Sequence, residues 1–218
     1  MFNNLLALYR SLYDRSYHYL FYEENNTIVK RQSIDNESRL QKFINFIDYP
    51  VNLIDNIYIG SAYNAANFNL LTDLNIGLII NVTKEIQNYF PENFEYINIQ
   101  VSDTNNESLK NNFHEIVEKI NNFTKFSDKK VLVHCYMGAS RSATIILAYM
   151  LNKNISLNTS LKIIVKKKKS INVNTTFYNE LKDYSINLSL KKILELQKKI
   201  KIINLKRIIF LWKKNYNL

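Results

Sequence analysis

The sequence holds a single cysteine, Cys135. An intramolecular disulfide is therefore excluded, a reducing compartment is indicated, and any role for that thiol is chemical rather than structural. One thiol and three scattered histidines, His18, His114 and His134, leave no ligand set for a structural zinc ion, so no metal is expected. Three glycines and two prolines in 218 residues rule out long Gly/Ser or Pro-rich linkers. No apolar run approaches the roughly 20 residues that span a bilayer. The start, Met1-Phe2-Asn3-Asn4-Leu5, has neither the basic opening of a secretory signal nor the glycine needed for myristoylation. A soluble or peripheral protein is expected, cytoplasmic, with the nucleus or a membrane surface as the other locations open to it.

Asn, Ile, Lys and Tyr are abundant instead. With 46% apolar residues the chain can bury one full-sized core, with no room for a second ordinary domain. The net charge of +10 is unevenly spread, because residues 185–218 carry nine basic side chains against Glu195 alone, or +8 of the total. Basicity thus belongs to the tail, and the question of catalysis separates from that of partners. Three segments are expected: a helical N-terminal extension over 1–50, a globular domain over 51–184 and a basic amphipathic helix over 185–218.

Within the first segment, Phe2, Leu5, Leu6, Tyr9, Leu12 and Tyr13 fall at helical spacing. Residues 23–36 are mostly polar, and Leu40, Phe43, Ile44 and Ile47 make a second helical stripe. From Val51 short strands alternate with helices, the signature of an α/β sheet covered by helices. Strands are predicted at 57–59, at 76–82 as a fully buried type, at 96–101 and at 131–133. Helices are predicted at 67–74, at 108–126 with Phe113, Ile116, Val117 and Ile120 inward, at 142–151, at 156–167 with Ser156 as N-cap, and at 176–184. The fold class is α/β, a central mixed sheet flanked by helices, with helical extensions at both ends.

The chemistry concentrates where the strand at 131–133 meets the helix at 142. His134-Cys135-Tyr136-Met137-Gly138-Ala139-Ser140-Arg141-Ser142 puts Cys, five residues, then Arg between a buried strand and a helix start. A loop of that length turns backbone N–H groups inward, and the helix N-terminus adds its positive end, so an oxyanion is held without metal. The same field favours thiolate over thiol. Tyr136, Met137, Gly138, Ala139 and Ser140 line the loop by position, and Gly138 permits the tight turn. Arg141 offers a planar fork to two phosphate oxygens. Ser142 can stabilise the sulfur as it departs, and His134 can fix the loop by hydrogen bonding. An alkoxide leaves badly unless protonated, so a carboxylic acid is needed. Asp103, just past a strand in the loop 102–107, is the candidate, with Glu107 its nearest competitor.

The stretch from His134-Cys135 to Arg141-Ser142 resembles the signature loop of the dual-specificity protein phosphatases, the cysteine-dependent branch of the protein tyrosine phosphatase superfamily. The likeness extends to Asn56-Ile57-Tyr58-Ile59-Gly60, to Ile80-Asn81-Val82, to Val101-Ser102-Asp103-Thr104, and to Asn174, Phe177 and Leu181, with Val173 standing where the family has proline. It covers about residues 51–184. It implies a two-step reaction through a phosphocysteine, no metal or other cofactor, and a shallow pocket for phosphotyrosine and phosphoserine/threonine of phosphoprotein substrates. The Gly-Arg-Thr-Gly ending of tyrosine-only phosphatases is absent. A phosphoinositide or RNA 5′-phosphate substrate is the second enzymatic reading, ranked lower because Tyr136, Met137, Ala139 and Ser140 are uncharged. A phosphopeptide-binding scaffold is the third. The tail, with Ile193, Leu196, Ile200, Ile203 and Phe210 on one stripe, can meet an anionic membrane, a calmodulin-like groove or another acidic partner, or pack back on the domain. No nucleic-acid-binding motif is present.

Overall fold

Runs of β-branched and aromatic residues set the sheet, and the gaps between them set its connections. The computed structural model of the chain describes residues 21–24, 27–30 and 39–215. In chain order the elements are β1 Phe21–Glu24, β2 Thr27–Lys30, α1 Arg39–Ile47, β3 Val51–Ile54, β4 Ile57–Gly60, α2 Ala62–Ala65, α3 Phe68–Asp73, β5 Ile76–Asn81 and β6 Glu95–Asn98. There follow α4 Phe113–Phe126, entered through a 3₁₀ turn at Lys110–Asn112, then β7 Lys130–His134, α5 Arg141–Asn152, α6 Leu157–Lys167 and α7 Thr175–Asn215. The helix expected over 2–13 lies outside the described residues. The polar stretch after it is partly a hairpin rather than a loop throughout, with β1 antiparallel to β2.

The main sheet has the order β3-β4-β7-β5-β6, antiparallel between β3 and β4 and parallel elsewhere. Strand β3 was not anticipated from the sequence. Alternation along the strands splits the side chains between two faces. Ile57, Ile59, Leu78, Ile80, Val131 and Val133 join the larger core with α4, α5, α6 and the start of α7. Leu132, Ile79 and Ile76 turn to the other side, where Ala65, Leu71 and the rings of Tyr58, Phe90, Phe94 and Tyr96 cover them. Helix α5 is buried from Arg141 to Leu151 without a break, as a helix enclosed on all sides must be apolar or satisfied.

Three features depart from expectation. In α1 the buried side chain is Phe46, while Leu40 and Ile44 are exposed, so the inward stripe is rotated from the one read off the spacing. The division expected at residue 50 is crossed by contacts: Ser61 Oγ donates to the Phe46 carbonyl at 2.6 Å, Asn64 Nδ2 donates to the Asp48 carbonyl at 2.9 Å, and the Phe46 ring lies 5.8 Å from that of Tyr136. The division expected at 184 falls inside α7, which runs unbroken for 41 residues. Asn174 starts this helix without the family proline, because its Oδ1 accepts from Phe177 N at 2.9 Å. No described helix is long and apolar enough to cross a membrane.

The parallel strands end together, with Gly60 and Asn81 both level with His134, and Asn81 level with Asn98. Everything that follows these strands therefore meets at one edge, where open α/β sheets bind ligands.

Candidate active site

Strand β7 is central, so the loop that leaves it is enclosed by those on either side. The carbonyl of His134 accepts from Val82 N at 2.9 Å, that of Tyr136 from Ala62 N at 3.0 Å, that of Ala139 from Asn172 N at 2.9 Å and that of Ser140 from Thr144 N at 2.9 Å. In a trans peptide the C=O and the following N–H point in opposite directions. Carbonyls stapled outward at Tyr136, Ala139 and Ser140 thus turn the amides of Met137, Ser140 and Arg141 the other way, toward the space the loop surrounds. Gly138 has φ +67°, and a Cβ there would meet the Gly60 carbonyl oxygen at 2.5 Å, so strain and close approach both demand glycine at this turn.

Cys135 is buried, with Sγ 3.2 Å from Ser142 Oγ. The ring of Tyr136 is tucked under α1 beside Phe46, whereas Met137 and Ala139 are half-buried. The Ser140 hydroxyl does not face the enclosed space freely. It donates to Asp103 Oδ1 at 2.8 Å and accepts from Asn174 N at 3.3 Å. Asp103 Oδ1 also accepts from Asn174 Nδ2 at 2.9 Å. Further along the same loop, Thr175 Oγ1 donates to Asn105 Oδ1 at 3.2 Å and Thr176 Oγ1 to the Asn105 carbonyl at 2.9 Å. The structure therefore ties the Asp103 loop to the first turn of α7. Glu107, the competing carboxylate, is in the same loop, where its N–H donates to the Thr104 carbonyl, and His114 is exposed on α4.

Arg141 is 2% exposed, and a charge so placed needs partners. Glu85, in the loop after β5, supplies them: Nη2 donates to Oε1 at 2.7 Å and Nη1 to Oε2 at 3.0 Å, while Nη1 also donates to the Val101 carbonyl at 3.0 Å. Burial opposes the charge of Arg141, but Coulombic attraction to Cys135, then Glu85 and Asp103, outweighs it and raises the guanidinium above its ordinary range. A guanidinium has five N–H donors, and three are engaged here. Of the remaining two, Nε is buried and without a hydrogen-bond partner, with Asp103 Oδ2 standing 3.9 Å away. A buried orphan donor at the mouth of such a loop is what a bound oxyanion would satisfy.

Lys168, at the C-cap of α6, is 7% exposed. Burial pushes its ammonium below the usual lysine range, and the charges of Asp48 and Cys135 draw it back up. Glu85 and the bridging role of Asn174 were not read from the sequence.

His134 is 1% exposed. Burial lowers its imidazole to about 4, against the Nδ1–H bond to the Cys135 carbonyl and together with the charge of Arg141. The unfolded chain takes up this proton near 6.5 and the folded chain does so only near 4. Stability is thus full above ~6.5 and is lost as pH falls through that window. Between pH 7 and pH 5 urea melts should show this residue removing about 2 kcal/mol, and His134→Gln should flatten that part of the acid slope. An unchanged slope would mean that the folded imidazole takes up its proton where the unfolded one does.

A family model for the dual specificity phosphatase catalytic domain matches residues 57–187. The chain is 37% identical over 147 residues to human dual specificity protein phosphatase 9, a match covering 66% of this chain and 38% of that protein. It is 36% identical over 140 residues to the protein phosphatase Slingshot of Drosophila melanogaster, covering 64% and 13%. The chain spans well under half the length of these curated relatives. Among solved structures, human DUSP28 superposes with a TM-score of 0.62 at 20% identity, over 65% of this chain and 96% of that one, which is a likeness of fold.

Proposed function

This chain belongs to the dual specificity phosphatase family, and from that premise we propose that it is a protein phosphatase that hydrolyses phosphotyrosine and phosphoserine/threonine through a phosphocysteine. The observation that carries the reading is the half-satisfied guanidinium of Arg141. Glu85 and Val101 hold its outer end, and the two donors left over, Nε–H and the second Nη2–H, lie along one edge of the plane. That edge matches two oxygens of a phosphoryl group.

In the first step Cys135 Sγ forms a bond to phosphorus as the bond to the leaving oxygen breaks, and Asp103 gives that oxygen a proton. In the second step Asp103 takes a proton from water as its oxygen attacks phosphorus. The sulfur leaves as thiolate, steadied by the Ser142 hydroxyl 3.2 Å away, and inorganic phosphate is released. Arg141 and the inward amides carry the transferring charge in both steps. His134 and Gly138 keep the loop in shape. Ser140 and Asn174 act on Asp103 rather than on substrate, so they are positioning residues.

Turnover by the full chain of matched phosphotyrosine, phosphothreonine and phosphoserine peptides, beside phosphoinositides and 5′-triphosphate RNA, tests the proposal. Phosphate release from the peptides is expected. Release from lipid or RNA alone would replace it with the second reading, which one observation favours: Lys168 is a buried ammonium within electrostatic reach of Cys135, a cation that a second phosphate could use. If substrates with two neighbouring phosphates are preferred, Lys168→Gln should reduce that preference roughly ten-fold or more, the worth of one charge-assisted contact, and leave singly phosphorylated peptides unaffected. Equal losses on both would show that Lys168 supports the loop and reads no second group.

A further inference from the structure

Beyond the chemistry of the pocket, the distal part of α7 bears an apolar face that nothing in the described structure covers. We propose that this face is a docking surface for an anionic lipid bilayer. Ile186, Leu190, Ile193, Leu196, Ile200 and Ile203 are each more than half exposed. At about 100° per residue these six fall within an arc of roughly 140° on one side of the helix. The domain meets a different side of the helix from Ile186 and Leu190. Leu188 packs against the core, and its neighbours two residues away on either side, Ile186 and Leu190, are turned about 160° from it. An unbroken helix fixes that relation.

Charge selects the occupant. Lys191, Lys198, Lys199 and Lys206 lie on the opposite side of the helix, around Glu195, with Lys192 beside them donating to Asn154 Oδ1 of the domain, while Lys201 borders one edge of the apolar arc. Lysine stems reach along apolar surface with their ammonium groups at a polar boundary. A helix lying in a lipid interface uses this arrangement, apolar arc inward and lysines at headgroup level. Ile202 stands apart on the lysine side, and Leu194 lies just beyond Lys201 at the edge of the arc. Self-pairing is opposed because it sets one segment of charge +8 against another. The arc is also wider than the two-position seam of a coiled coil, which favours a continuous apolar medium over one partner helix.

The test mixes the full chain with vesicles of phosphatidylcholine containing about one third phosphatidylserine, and with pure phosphatidylcholine, and follows sedimentation. Each lysine near an anionic surface is worth roughly five-fold in partition, so anionic vesicles should be preferred by ~100-fold or more, and Lys198→Glu with Lys199→Glu should weaken binding by at least roughly 25-fold. Ile193→Asp with Ile200→Asp should abolish binding while leaving the thermal melt and aryl phosphate turnover unchanged. The proposal is overturned by equal binding to both vesicles, or by no binding to either. It is likewise overturned if the double aspartate variant binds as the parent does, or if the stripe instead forms dimers or captures a glutamate-rich helical peptide without binding vesicles.

Discussion

Cys135→Ser is expected to lower turnover of a generic aryl phosphate by roughly 10⁴-fold or more, the scale on which losing a covalent nucleophile acts, without unfolding the protein. The hydroxyl is smaller than the thiol it replaces, and the position is 1% exposed, so nothing is overpacked. The carbonyl staples around the loop and the Glu85 clamp on Arg141 do not involve the sulfur. Affinity for inorganic phosphate should hold or rise, because a thiolate beside a phosphate dianion repels it and a hydroxyl does not. Calorimetry with phosphate and an aryl phosphate assay on the same preparation separate the two effects. A variant keeping more than about one hundredth of the parent rate would place the nucleophile elsewhere.

Asp103→Ala is expected to lower turnover of a phosphoserine peptide by ~10²- to 10⁴-fold, the usual size of a lost general acid. The loss should be clearly smaller on an aryl phosphate whose phenol leaves easily, because that oxygen needs less help from a proton. Asp103→Asn sharpens the result. Its amide oxygen can still accept from Ser140 Oγ and Asn174 Nδ2, the two bonds that now hold the carboxylate, but it cannot pass a proton to substrate. Single-turnover rates for Ala and Asn should therefore fall together on phosphoserine. Recovery by Asn would mean that Asp103 braces the loop and another group supplies the proton.

Elements whose hydrophobic pattern was unambiguous could be read from the sequence. β5 is six residues buried without exception, and the inward set of α4, Phe113, Ile116, Val117 and Ile120, is the one its spacing predicts. Four-residue β3 escaped because Asn52 breaks its apolar run, and a strand so short owes its place to pairing with β4. The face of α1 was misassigned because Phe46 can be buried in place of Leu40 and Ile44, and only the docking of α1 on Tyr136 decides between them. The length of α7 was legible in principle, since no glycine or proline follows Gly138 and nothing in 175–215 tells a helix to stop.

The site divides the same way. Cys135, Arg141 and Ser142 sit in one local motif, and their spacing suffices. Glu85 lies 56 residues from Arg141 in the chain and reaches it because β5 and β7 are neighbours in the sheet, a fact of strand order that no local pattern encodes. Asn174 could be matched to a family pattern, yet its bond to Asp103 appears once the start of α7 is set against the loop after β6. Lys168 is one of four consecutive lysines, and its burial distinguishes it from the other three.

Helix α7 begins at the residue next to Asn174, which grips Asp103, and continues for 41 residues, some 60 Å at the rise of an α-helix. It is a rigid handle joined to the mouth of the pocket. Whatever holds its far end therefore aims the reactive sulfur and sets its distance from the point of attachment.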